Sequence, residues 1–301
     1  PTTRVVPAAT VPRSRARNCF IIVSFFRASA GRRAGLRIGR ARGHGVNGTC
    51  PGPPTLAAVP ALRPRFDRID ALRGAAIVWM TAFHFCFDLN HFGWLREDFY
   101  RDPFWTWQRT AIVSLFLFCA GLGQAVAVRQ GQGWPRFWRR WAQVAACALL
   151  VTAGSWFMFP RSFIYFGVLH GIAVMLVVTR LTAGAGRWLW LGGALAIAAP
   201  WLAPAAHAAW PQLEAFNQPL LNWLGWISRK PVTEDYVPLL PWLGVMWWGL
   251  AAGTWLLRER PQWVQGQLAR PLQPLAWLGR WSLSWYMLHQ PVLIGLLFVL
   301  R

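Results

Sequence analysis

Residues 73–94, RGAAIVWMTAFHFCFDLNHFGW, are apolar enough for a bilayer yet carry an arginine, two histidines and an aspartate. Set on a helix at 100° per residue with His84 as reference, Arg73 and His91 fall at about −20°, and Asp70 and Asp88 at about +40°. The five ionisable groups share an arc of about 60°, and Ala, Ile, Val, Trp, Phe and Leu take the other faces. A charge at the bilayer centre costs at least about 2.5 to 3.5 kcal/mol, so such a stripe faces a cavity or a partner inside a bundle. A charged helix end followed by a buried structural histidine would satisfy the same pattern without any chemistry. The chemical reading is proton transfer. A histidine with a pKa near 6.5 takes and returns a proton at neutral pH, and an aspartate one turn away fixes its tautomer and stabilises the cation. Such a pair acts as general base toward a hydroxyl or amine, or the histidine itself carries an acyl group. The stripe from Arg73 to His91 covers about 27 Å of helix, enough to line a route across a membrane.

Other apolar segments add polar groups. His170 lies in FIYFGVLHGIA; His289 lies in GRWSLSWYMLHQP, with Ser282 on the same helical face seven residues earlier. A lone intramembrane histidine is more often structural than catalytic, and several that converge shift those odds. The connection ISRKPVTEDYVPLLPW supplies Glu234, Asp235 and Tyr236, where two adjacent carboxylates are more often merely solvated. An arginine at the mouth of the stripe suits the phosphates of a large donor such as coenzyme A. The histidines are not clustered with carboxylate or cysteine at ligand spacing, so no metal is expected. Cys86, Cys119 and Cys147 stand apart in apolar segments and Cys19 and Cys50 near the amino end, which implies no disulfide framework. No Gly-rich phosphate loop follows a strand.

The elements that hold these groups are helices in lipid. Of the 301 residues 55% are apolar types and 14% charged, far below the charged share of a soluble domain, and the 22 Trp suit two membrane interfaces. The net charge of +21 sits largely in the first 73 residues and in short connections, which argues against nucleic acid as a partner and for membrane lipid. Residues 1–62 contain no acidic residue and one short apolar run, CFIIVSFF, too short to span and unlike a signal peptide. With no Met before Met80, they read as a basic, disordered extension, either a frame extended upstream of the natural start or a cytoplasmic arm. Residues 63–301 then form the membrane domain.

Apolar segments of spanning length recur at roughly 71–92, 108–128, 138–159, 163–180, 187–206, 238–257 and 281–300. They lack the alternation of a membrane barrel, so the expected fold is all-α: a polytopic bundle of about seven transmembrane helices. Alternate connections carry fourteen Arg or Lys against six, which places the amino end in the cytoplasm and Arg301 outside.

RFDRIDALRGAAIVWMTAFHFCFDLNHFGW, FYRDPFWTWQRTAIVSLFLFCAGLG, FIYFGVLHGIA, RKPVTEDYVPLLPWLGV and LGRWSLSWYMLHQPVLIG resemble, in that order, blocks of the bacterial branch of the heparan-alpha-glucosaminide N-acetyltransferase catalytic-domain family, over about residues 65 to 300. Arg73, ten residues, then His84 is also similar to the first-helix motif of the acyltransferase-3 family, and LGRWSLSWYMLH to its closing helix. The resemblance implies a bacterial inner-membrane enzyme that moves an acyl unit, acetyl first, from cytoplasmic acetyl-CoA to a sugar or glycan on the outer side. It implies Arg73 and Asp70 at the acyl-CoA end, His84 as base or acyl carrier, and Asp88 as its orienting partner. His170, Glu234, Asp235, Tyr236, Ser282 and His289 are supporting or acceptor-side candidates. The reactive histidine of the lysosomal members lies nearest to His91, and those members place Asn at the position of His84; His84 is favoured over His91.

Two other classes fit the same stripe. A transporter or flippase of a lipid-linked or acylated substrate would use it as a path without acyl-CoA, although no duplicated half or pair of broken helices accompanies it. A non-catalytic scaffold would tolerate His84→Ala. The many small residues permit helix packing without naming an oligomer.

Overall fold

A computed structural model describes residues 65–300; the basic extension expected over residues 1–62 lies outside them. Among the described residues the chain forms eight α-helices and no β-strand: α1 (Asp67–His91), α2 (Pro103–Arg129), α3 (Trp134–Met158), α4 (Val168–Leu181), α5 (Trp188–Ala209), α6 (Leu239–Glu259), α7 (Gln273–Arg280) and α8 (Ser282–Leu300). Six of the seven expected apolar segments are helical over nearly their whole length, and the segment expected over 163–180 is helical only from Val168. The short α7, which precedes α8, was not expected as a separate helix.

Five of them, α2, α3, α5, α6 and α8, are long and apolar enough to cross a membrane. With α1 they make an all-α membrane bundle. The histidines and Asp88 keep α1 less apolar than those five, although its 25 residues are ample in length. α4 has only 14 residues, about 21 Å of helix against a hydrocarbon core of about 30 Å.

Local chemistry starts the helices where the sequence allows it. At α2, Asp102 accepts a hydrogen bond from Phe104 N at 2.7 Å with Pro103 at the first position. The missing turns of α4 are replaced by two irregular segments that satisfy one another. Glu234 N donates to Ser162 O at 2.9 Å and Val237 N to Phe166 O at 3.2 Å, around a parallel bridge of Phe166 and Tyr236. Non-helical backbone at membrane depth persists only when paired in this way.

Close backbone approaches set the helix pairs. A Cβ on Gly74 would overlap the carbonyl of Leu275 in α7, and one on Gly279 the carbonyl of Asp70 in α1. Gly121 and Gly249 bring α2 and α6 together in the same manner. The main apolar core joins α2, α3, α4 and α6 through Leu117, Phe137, Val144, Leu169, Met175 and Met246. α8 then runs parallel to α1, Trp285, His289 and Gln290 meeting Thr81, His84 and Asp88 in turn.

Candidate active site

The contact between α1 and α8 carries the polar interior. Trp285 Nε1 donates to Thr81 Oγ1 at 2.9 Å, His84 and His289 meet edge to face with ring centroids 5.1 Å apart, and Gln290 Nε2 donates to Asp88 Oδ1 at 2.7 Å. These residues ascend both helices in step.

His289 is held in a defined tautomer. Its Nδ1 lies 2.8 Å from the Tyr286 carbonyl and 3.3 Å from that of Trp285, so Nδ1 carries the proton and Nε2 keeps its lone pair. That Nε2 is buried and without a hydrogen-bond partner, as are Asp88 Oδ2 and Gln290 Oε1. Asp88 is 3% exposed and His289 8%. Three unsatisfied polar atoms in one buried region cost free energy unless something binds them.

One expected contact is absent. Asp88 does not orient His84; its bonded oxygen faces Gln290 instead. The cause is rotational: Asp88 and Gln290 lie on the α1–α8 seam, and the Gln290 amide of α8 takes the carboxylate oxygen that was expected to face His84. His84, half-buried, packs on Phe83 and His289. His91, the last residue of α1, is exposed, with its ring 5.7 Å from that of Phe92.

At the amino end of α1, Arg73 pairs with Asp70 at 3.0 Å, and Arg280 with Asp67 at 3.0 Å and more loosely with Asp70 at 3.9 Å. Asp70 therefore positions cations there. The Arg73 guanidinium lies against Gly123 of α2 and interacts electrostatically with Arg140 of α3. Arg73, Arg140 and Arg280 make this end basic; of these three arginines only Arg73, with Asp70, was expected from sequence.

At the opposite end, two expected site residues bond to the irregular segment before α4 and to its first turn. His170 does not join the His84–His289 pair: its Nδ1 accepts from Gly167 N at 3.3 Å and its Nε2 faces Thr152 Oγ1 at 3.0 Å. Thr152 donates to the Ile164 carbonyl at 2.8 Å, so its oxygen accepts from His170 and both ring nitrogens are occupied. Asp235 accepts from Val168 N at 2.7 Å and so terminates α4, with Gly167 leaving the room it needs. Burial pushes the Asp235 carboxyl above its ordinary range, against the pull of Val168 N–H, Lys230 and Arg109. Burial and the neighbouring Arg109 lower Lys230, and Asp235 opposes them.

Glu234 is exposed and accepts from the Ser162 hydroxyl. Tyr236 donates to the Asn222 carbonyl at 2.6 Å, and Asn222 Nδ2 to the Tyr165 hydroxyl at 2.7 Å. Ser282 opens α8, about 10 Å of helix from His289, and stays apart from it. Tyr286 connects the two regions. Its ring is 5.8 Å from that of His289, and its hydroxyl lies within electrostatic reach of Asp235.

Gln290 and Tyr286 were not singled out from sequence. The signal for Gln290 was its place beside His289, in the helix whose face was already under suspicion. Nothing short of helix pairing could have matched it to Asp88.

A bundle of apolar helices with buried His289 and Asp88 and half-buried His84 and Gln290 on one seam defines a polytopic membrane protein with an internal polar site. A family model for the heparan-alpha-glucosaminide N-acetyltransferase catalytic domain matches residues 65–291, more than half of the chain, and the chain belongs to that family. It is a multi-pass membrane acetyltransferase. No curated protein and no solved structure matches it.

Proposed function

We propose that the chain transfers an acetyl group from acetyl-CoA to a hydroxyl or amine of a sugar or glycan acceptor, with donor and acceptor entering from opposite ends of the bundle. The packing of His84 on His289 in the interior, at 5.1 Å between ring centroids, is the observation that carries this reading.

The donor enters at the end bearing Arg73, Arg140 and Arg280, where guanidiniums meet phosphates and Asp70 keeps Arg73 in place. From Arg73 to His84 is about 16 Å along α1, so a thioester on a long thin arm reaches the histidines while its phosphates stay at the mouth. The acceptor approaches from the end of the Glu234–Tyr236 segment, past Tyr286.

The acceptor hydroxyl or amine attacks the thioester carbonyl, and neutral His84 takes its proton. The tetrahedral intermediate collapses, the carbon–sulfur bond breaks, and the leaving thiolate receives the proton back. His289 Nε2, unprotonated because Nδ1–H is bound to the Tyr286 carbonyl, accepts the proton from His84 while the intermediate forms and returns it afterward. Asp88 supplies negative charge one turn from the imidazolium. The Arg and Lys distribution supports a cytoplasmic amino end, hence a cytoplasmic donor and an outer acceptor in a bacterial inner membrane.

The test is acetyl transfer from radiolabelled acetyl-CoA to glucosamine-type acceptors in membranes holding the full chain. Wild type is compared with His84→Ala, His289→Ala and His91→Ala at matched expression. Loss of about 10² to 10⁴ in rate is expected for His84→Ala and His289→Ala, and little change for His91→Ala. Unchanged rates in both of the first two would sink the assignment, and transport of an acylated substrate without acetyl-CoA would replace it.

A further inference from the structure

We propose that the cleft between the last turns of α2 and α6 and the α4–α5 turn is a binding site for an anionic phospholipid, with the headgroup phosphate held by Arg129 and Arg258. The cleft encloses about 490 Å³ and lies away from the histidines. It is independent of the acetyl-transfer reading.

Each helix presents one face to it. α2 contributes Ala125, Val128 and Arg129, at positions i, i+3 and i+4, and α6 contributes Leu250, Thr254 and Arg258, at i, i+4 and i+8. The floor is apolar and the mouth is cationic, because each arginine falls in the last turn of its helix. No carboxylate lines the cleft, and neither guanidinium is ion-paired among the described residues. Glu259 follows Arg258 in sequence but lies 100° further round α6 and contributes nothing to the lining.

The carbonyl ends of the two helices each place about half a negative charge near the mouth, and two full positive charges outweigh them. The occupant must match both halves. A groove on a bilayer-embedded surface is filled by lipid chains, and two unpaired arginines at its headgroup end select a phosphodiester of net negative charge. A zwitterionic headgroup would bring its ammonium against the second arginine.

The donor route at Arg73 meets a different face of α2. Gly123, which faces Arg73, lies about 140 to 240° around α2 from Ala125, Val128 and Arg129.

Native mass spectrometry of the detergent-purified full chain provides the test, with phosphatidylglycerol or phosphatidylcholine added at equal concentration. Phosphatidylglycerol should be retained preferentially, and each of Arg129→Gln and Arg258→Gln should weaken it by about fivefold. Arg161→Gln, at the other end of the bundle, should leave it unchanged. Arg129→Lys with Arg258→Lys should keep most of the preference, which separates lost charge from lost fold. Equal retention of the two lipids by wild type, or undiminished phosphatidylglycerol on both Gln variants, would overturn the site. So would equal competition by inorganic phosphate, which would make it a simple anion site.

Discussion

At the scale of single residues, the site rests on partners that one face of one helix cannot reveal. Asp88 is buried at 3% exposure, and the Gln290 amide is the donor that makes its burial tolerable. Gln290→Leu should therefore destabilise the protein by about 1 to 3 kcal/mol, because a buried carboxylate oxygen loses its donor. Asp88→Leu combined with Gln290→Leu should recover much of that loss while abolishing acetyl transfer; thermal unfolding in detergent beside the transfer assay separates the two effects. Asp235 presents the opposite problem. Its carboxyl is raised from the ordinary 3.8 chiefly by burial. A group raised in the folded state binds its proton more tightly there, so that contribution to stability is complete below the unfolded value and is lost as pH rises through the folded one. Asp235→Asn retains an oxygen for Val168 N–H and carries no charge. Its unfolding midpoint should vary less with pH than that of wild type above about pH 4, and a pH series of melting curves checks this.

At the scale of elements, helix register is set by glycines far from the site. α7 lies against α1 at Gly74 and Gly279, where there is no space for a Cβ against the opposing carbonyls. Arg280 at the end of α7 then reaches Asp67, and α8 begins two residues later, in register to set His289 beside His84. Gly74→Val should push α7 away and shift α8 with it. Transfer activity should fall by more than tenfold while helix content by circular dichroism stays near wild type, the loss being one of geometry. Retained activity would show that α7 does not set the register. α4 belongs to the same scale: its shortness brings the Glu234–Tyr236 segment inward, which puts Asp235 within reach of Tyr286.

At the scale of the whole molecule, arginines concentrate at one end of the bundle and the paired irregular segments at the other, so the two ends differ in chemistry. That asymmetry predicts a fixed orientation. A cysteine at Val232, which is 81% exposed, should react with an impermeant maleimide in intact cells, whereas one at exposed Arg136 should react only after permeabilisation. The reverse pattern would invert donor and acceptor sides. Much of this was legible in the sequence: apolar runs of spanning length in lipid have to be helices, and the 100° period puts Arg73, His84, Asp88 and His91 on one arc whatever surrounds them. The period fixes which side chains share a face, but not which residue of another helix meets them. That depends on contacts such as Gly74 with Leu275, two hundred residues apart in the chain. Only tertiary packing therefore matched His84 with His289 and Asp88 with Gln290, left His91 exposed, and gave His170 and Asp235 to the support of α4.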